Sequence, residues 1–276
     1  MFDNYVIPLD QWVSDSVEWL VDNHREFFQM LKWPVERMLG GFEHGLNAVH
    51  PAVIIAAVCL AAWRFSGKRL AAFSLASMLL VGFLGLWEDT MITLAMVLSS
   101  VVICTVLGVP LGIMAGRGDR FEAALRPVLD AMQTTPAFVY LVPIVMLFSV
   151  GNVAGVLATI IFALPPIIRL TSLGIRGVHP ELVEAALAFG ATRRQVLLKV
   201  QIPLAMPTIL AGLNQTIMMA LSMVVIAALI GAGGLGSPVI LGLNTLDIGR
   251  AVVGGLGIVL MAIVLDRITQ SMAKRK

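Results

Sequence analysis

The residues of this chain that could carry out bond chemistry are few and scattered. His24, His44, His50 and His179 show no metal-ligand spacing, and Cys59 and Cys104 stand apart inside apolar runs, with no CxxC. No nucleophile lies beside a base in any pattern that would activate it. Gly231-Ala232-Gly233-Gly234-Leu235-Gly236 satisfies G-x-G-x-x-G. A dinucleotide fingerprint needs a strand before those glycines and a helix after them. Here a long apolar stretch precedes them, so an irregular turn is expected. No G-x-x-x-x-G-K-[ST] occurs, so the chain has no P-loop for ATP. Its acids and bases stop at the edges of the apolar stretches, at Glu88, Asp89, Asp130, Arg169, Asp247 and Arg250. An ion-coupled secondary transporter, the rival reading, would place ionisable groups inside its spans. No proton relay is visible, so the driving energy for any transport must come from elsewhere.

One segment is too polar to span a membrane and too patterned to be a loose loop. It runs from Arg169 to about Leu204. Pro180 starts a helix, with Leu182, Ala185, Ala186 and Phe189 on one face, and Gly190 can end it. A second helix follows, with Val196, Leu197 and Val200 on one side and Arg193, Arg194 and Lys199 on the other; Pro203 is expected to close it. Two short helices joined by a glycine turn present a rigid knob.

The elements that must position this knob are membrane spans. The chain has 276 residues, 58% hydrophobic and 13% charged, whereas soluble domains run about half apolar and about a quarter charged. A net charge of +2 gives no reason to expect nucleic acid. Seven apolar stretches, near 47–63, 70–87, 91–116, 132–150, 152–169, 205–230 and 249–265, predict about seven spans. Prolines interrupt the fourth (Pro136, Pro143) and end the fifth (Pro165, Pro166), which spans tolerate when neighbours satisfy the freed backbone groups. Gly108, Gly112 and Gly116 form overlapping GxxxG steps that permit close helix contact, as a seam inside one subunit or at a dimer interface. The links at 64–69, 117–126 and 169–199 and the tail 267–276 carry three, three, five and four basic residues, fifteen of the nineteen. Short basic loops stay cytoplasmic, so the N-terminus is expected outside and the C-terminus inside. Residues 1–45 lack the basic start of a signal peptide. Asp3, Asp10, Asp15, Glu18 and Asp22 alternate with Val13, Val17, Leu20, Phe27 and Leu31, and Trp12, Trp19 and Trp33 stand nearby. This predicts an amphipathic helix at the membrane interface, or one packed on the rest of the protein, with a second short helix from Pro34 to Gly40-Gly41.

Within the fourth and sixth stretches, Thr134, Thr135, Phe138, Tyr140, Asn214, Gln215, Met218 and Met219 are candidates for lining a solute path, with Phe148 and Met223 beside them. Asn214 and Gln215 serve as interhelical glue or as pore lining, and the methionines pack helices or line the pore.

Glu184-Ala185-Ala186, then Gly190, then Val200-Gln201-Ile202-Pro203 resembles the EAA loop of ABC importer permeases. That motif reads EAA, three residues, Gly, nine residues, Ile-x-Leu-Pro; Val200 and Ile202 are conservative departures. Gln133–Tyr140, Ala163–Thr171 and Ala220–Ile226 resemble the glycine betaine, proline betaine and choline permeases of binding-protein-dependent importers. The resemblance implies an all-α polytopic fold of the type I ABC importer transmembrane domain over 46–276, with coupling helices at 178–203. Glu184, Ala185, Ala186, Gly190, Ile202 and Pro203 would dock on an ATP-binding subunit. It implies no cofactor on this chain, with ATP-Mg on two partner ATPases, a second permease copy, and a periplasmic or lipid-anchored substrate-binding protein. The location implied is the bacterial inner membrane, and the solute a small quaternary or methylated amine.

Overall fold

The computed structural model describes residues 8–274, and the side chains of most of them. Asp3, Arg275 and Lys276 lie outside the described residues. Every regular element described is helical.

A core of three helices sets the architecture. α4 (Trp87–Arg117), α7 (Asn152–Arg176) and α10 (Ile202–Ala228) pack along their full lengths because glycines remove the side chains between them. A Cβ on Gly108 would lie 2.3 Å from Ile167 Cγ2, one on Gly112 2.5 Å from Thr171 Cβ, and one on Gly116 2.9 Å from Ile175 Cβ. The GxxxG ladder is therefore a seam inside one subunit, between α4 and α7. Gly174 and Gly212 do the same between α7 and α10, against Ala205 and Ile167. Lipid offers helices no hydrophobic reason to associate, so close backbone approach and dispersion contacts must supply it.

Around this core lie α2 (Pro51–Ser66), α3 (Lys68–Phe83), α11 (Gly236–Thr245) and α12 (Ile248–Lys274). α2 and α3 form a hairpin turned by Gly67, at φ +97°. Contacts define two ends of the bundle. At one end Ser66 bonds Ser271 at 2.9 Å, and Arg176 bonds the Ala115 carbonyl at 2.8 Å. At the other, the Leu235 amide bonds Thr93 Oγ1 at 2.8 Å, and Asn152 bonds the Gly233 amide at 2.7 Å. The basic links that the structure describes gather at the first end.

Among the described residues, four helices are individually long and apolar enough to cross a membrane: Trp87–Arg117, Asn152–Arg176, Arg193–Ala228 and Ile248–Met272. Counting two bent pairs as broken spans gives up to six, fewer than the seven expected. α2 and α3 have 16 residues each, about 24 Å of helix against a hydrocarbon core of about 30 Å. The stretch 132–150 is not one span. α5 (Asp119–Thr134) meets the segment Ala137–Phe148, made of the 3-10 turn Ala137–Tyr140 and α6 (Leu141–Phe148), at 101°. The break has a cause: Pro136 pushes Thr135 out of the helical region, to ψ 126°.

The N-terminal segment also differs from expectation. α1 (Leu9–Ala48) breaks into two helical parts at His24 (φ −126°), not at Pro34. Pro34 and Gly40-Gly41 stay inside the helix because Val35 and Leu39 are buried in the core and hold it straight. Phe28 packs edge-to-face on Phe148 at 5.7 Å. The first half presents Trp12, Trp19, Phe27 and Trp33, each more than half exposed.

Candidate coupling knob and solute path

The segment after α7 folds into a capped knob. α8 (Pro180–Ala188) starts with Pro180 in its first turn, where the missing amide is no loss. Its end is a Schellman motif: the Ala191 amide donates to the Ala186 carbonyl (3.0 Å) and the Gly190 amide to that of Leu187 (2.9 Å). That geometry needs Gly190 at φ +81°, a region other L-residues avoid at a cost of about 1–2 kcal/mol. Thr192 then caps α9 (Arg193–Val196). Its hydroxyl accepts from the Gln195 amide, and its own amide donates to the Gln195 side chain at 2.8 Å. Two caps on either side of Gly190 and Ala191 leave the turn little freedom.

The first helix of the knob is largely exposed. Phe189 is 93% exposed; Glu184, Ala185, Leu182 and Leu187 are open too, while Ala186 is half-buried. Glu184 makes no ion pair among the described residues. Val196 is buried and Leu197 and Val200 half-buried, with Arg193, Arg194 and Lys199 on the open side, matching the sequence pattern. Pro203, however, does not close the second helix. Residues Leu197–Gln201 form a π turn, and the helix runs unbroken from Arg193 to Ala228. Pro203 removes one amide that would have bonded four residues back, and a wider turn just before it accommodates the ring. Ile202 and Pro203 thus sit in the first turn of α10 rather than at an end.

The candidate path residues fall into separate groups. Thr134 donates to the Asp130 carbonyl (2.9 Å), Thr135 to that of Ala131 (2.8 Å), and Tyr140 to that of Met132. All three hydroxyls finish the end of α5 at its break. Phe138, 61% exposed, projects from the turn that follows, and this turn touches both α7 and α10. On α10, Gln215, Met218 and Ser222 form an exposed stripe at helical spacing, and Met219 is half-buried. Met223 is fully buried and Phe148 nearly so, in one cluster with Leu141 and Ile144; both are core residues, not lining.

Asn214 is glue. Its side-chain nitrogen donates to Asp266 at 3.0 Å, its oxygen accepts from Thr269, and Gln270 also donates to Asp266 at 2.7 Å. Asp266, with its side chain 17% exposed, is an ionisable group inside an apolar helix that the sequence reading passed over, because the last apolar stretch was cut at residue 265. A polar residue at 214 in one span and another at 266 in the next were the available signal. Asn152 is a second missed residue: it joins Glu43 (3.0 Å) to the Gly233 amide. The 231–236 turn is bounded by helices on both sides, with Gly231 and Gly234 at positive φ. A Cβ on Gly234 would lie 2.5 Å from Thr93 Oγ1.

Residues 108–276 match the family model described as the binding-protein-dependent transport system inner membrane component. Over 273 residues the chain is 54% identical to the glycine betaine/proline betaine transport system permease protein ProW of Escherichia coli, spanning 99% of this chain and 77% of that one. It is 46% identical to the glycine betaine transport system permease protein OpuAB of Bacillus subtilis, spanning 98% and 96%. Among solved structures it is similar to a chain of the MetNI methionine ABC transporter in an inward-facing conformation (TM-score 0.56, 25% identity, 66% of this chain and 90% of that one). An amino acid ABC transporter with histidines shares the fold (TM-score 0.59, 22% identity, 73% of this chain and 98% of that one).

Proposed function

This chain belongs to the binding-protein-dependent transport system inner membrane component family, and on that premise we propose how it works and what it carries. It is a multi-pass permease of the inner membrane and a subunit of an ABC importer. The proposed solute is a small quaternary or methylated amine: glycine betaine, proline betaine, choline, carnitine or trimethylamine N-oxide. The observation that carries this reading is 54% identity along 99% of the chain to a glycine betaine/proline betaine permease.

Residues 46–276 act as the transmembrane domain and 1–45 as an interfacial segment, with the N-terminus outside and the C-terminus in the cytoplasm. Two copies form the path. Two separate ATPases bind ATP-Mg and receive the knob through Glu184, Ala185, Ala186 and the turn at Gly190; Ile202 and Pro203 join the knob to α10. A substrate-binding protein delivers solute at the end where Thr93, Asn152 and Gly233 meet. Phe138, Gln215, Met218 and Met219 line the path, and Thr134, Thr135, Tyr140 and Asn214 hold its walls in place. A lining of amide, thioether and aromatic groups, without fixed charge, lets a methylated cation or zwitterion pass. A closed aromatic cage would hold such a cation by about 2 kcal/mol or more, which suits capture rather than release.

The test is uptake of labelled glycine betaine, choline and trimethylamine N-oxide by cells carrying the whole importer. Uptake of at least one supports the reading. Uptake of an amino acid or an anion, and of none of these, sinks the substrate assignment.

A further inference from the structure

α1 grips the loop that joins α6 to α7 on both sides. Phe28 rests edge-to-face on Phe148, the last residue of α6. The side-chain nitrogen of Asn152, the first residue of α7, donates to Glu43 Oε1 at 3.0 Å. The loop itself is bonded to the turn that follows α10. The Gly151 amide donates to the Ile230 carbonyl at 3.0 Å, and the Asn152 side-chain oxygen accepts from the Gly233 amide at 2.7 Å. Asn152 has one workable orientation here. A backbone N–H can only donate and a carboxylate accepts, so its oxygen must face Gly233 and its nitrogen Glu43. The turn needs such tethers, because four of its six residues, 231–236, are glycines, which lose the most freedom on ordering. Thr93 supplies another through the Leu235 amide at 2.8 Å. That tether is buried within the three-helix core; the Asn152 tether leads out of it, to α1.

We propose that residues 25–48 of α1 are a clasp on the two elements that line the solute path, and that Glu43 and Asn152 are its positioning residues. α6 follows directly from the turn that carries Phe138, and the 231–236 turn follows α10, which carries Gln215 and Met218. With these ends fastened to one helix, the two elements open and close together at this end of the bundle. The break at His24 separates the clasp from the half that carries Trp12 and Trp19. Buried Val35 and Leu39 seat it on the core between Phe28 and Glu43. Removing the Glu43 carboxylate leaves the Asn152 nitrogen without its acceptor, and the turn with a tether that is itself no longer held. The effect on transport rests on the importer reading above; the bonding does not.

The test is hydrogen–deuterium exchange on the whole importer in bilayer discs, read on peptides covering 229–237, together with uptake of labelled glycine betaine by cells. Glu43→Ala alters no atom bonded to the turn, yet should speed exchange there about fivefold, the factor equivalent to the ~1 kcal/mol of one net hydrogen bond. Asn152→Asp sets two carboxylates face to face. It should speed exchange further and slow uptake, although an aspartate oxygen can still accept from Gly233. Adding Glu43→Gln to Asn152→Asp should restore both readings, since glutamine can donate where asparagine did. Glu36→Ala, exposed on the same helix, should change neither. Exchange in Glu43→Ala equal to wild type, or a double variant as impaired as Asn152→Asp alone, would overturn the clasp. Faster exchange with uptake unchanged in every variant would make it a packing contact and overturn its role in the path. The exchange reading does not depend on which solute the importer carries, so failure of the solute assignment leaves it standing.

Discussion

Ile167→Ala should partly rescue Gly108→Ala, because a single methyl group on α7 blocks the methyl that alanine would add to α4. A Cβ on Gly108 would lie 2.3 Å from Ile167 Cγ2, while the next atoms, Leu164 Cδ1 and Ile167 Cβ, are at 3.4 and 3.5 Å. Ordinary carbon contacts lie near 3.5–4.0 Å, so one atom is short by more than an ångström and the rest fit. Gly108→Ala alone should therefore destabilise by about 1–3 kcal/mol through overpacking. Ile167 is fully buried, so Ile167→Ala alone should lose about 2–5 kcal/mol to the cavity it leaves. In the double variant the alanine methyl enters space that Cγ2 has vacated. Its destabilisation should fall below the sum of the two singles by about 1–2 kcal/mol, inside the range for contacting pairs. Gly112→Ala offers the contrast. Its Cβ would lie 2.7 Å from the Ile168 carbonyl oxygen, a backbone atom that no side-chain change removes, so trimming Thr171 should not restore it. The assay is thermal unfolding of the purified chain in detergent, read against Gly41→Ala, where nothing lies within 4 Å. Additivity of Gly108→Ala and Ile167→Ala within about 0.5 kcal/mol would refute the seam as drawn.

Gly190→Val should abolish uptake while the chain still inserts, since its strain falls on the open knob; unchanged uptake would remove the coupling assignment. Asn214→Leu should loosen α12 from α10, lowering stability by about 0.6–2 kcal/mol for the interhelical bonds lost, as read by thermal unfolding; Asp266→Asn, which keeps an acceptor, should lose less. Phe189→Cys should react with an impermeant thiol reagent only in inside-out vesicles and Leu243→Cys only in intact spheroplasts, both in a background lacking Cys59 and Cys104; the reverse pattern would invert the topology.

How much of this was legible in the sequence varies by element. The knob was, because Pro180 and Gly190 are local signals whose geometry is settled within a turn of themselves. The glycine ladder was legible as a close-contact face but not as to its partner: nothing in Gly108, Gly112 and Gly116 names Ile167, Thr171 and Ile175. Prolines misled in both directions. Pro34 and Pro203 read as boundaries, yet tertiary packing by Val35 and a π turn before Ile202 carried the helices through. Pro136, read as a tolerated interruption, produced a bend of 101°. Of the path candidates, Gln215 and Met218 emerged exposed, whereas Met223 is fully buried, five residues and less than half a turn around the helix from Met218. A one-dimensional list of polarizable residues could not make that distinction without knowing which face α7 covers.

The unbroken helix from Arg193 to Ala228 has a mechanical consequence. At 1.5 Å per residue its 36 residues span about 54 Å, well beyond the hydrocarbon thickness of about 30 Å. A rod of that length is a lever whose short arm carries the knob. A tilt of roughly 5° about its foot would carry the far tip about 5 Å sideways, the scale of one helical pitch. The rod's points of compliance are the π turn Leu197–Gln201 and the turns at Pro203 and Pro207, all in its first half. Beyond Pro207 the remaining helix to Ala228 carries any tilt at the Arg193 end on to its far tip.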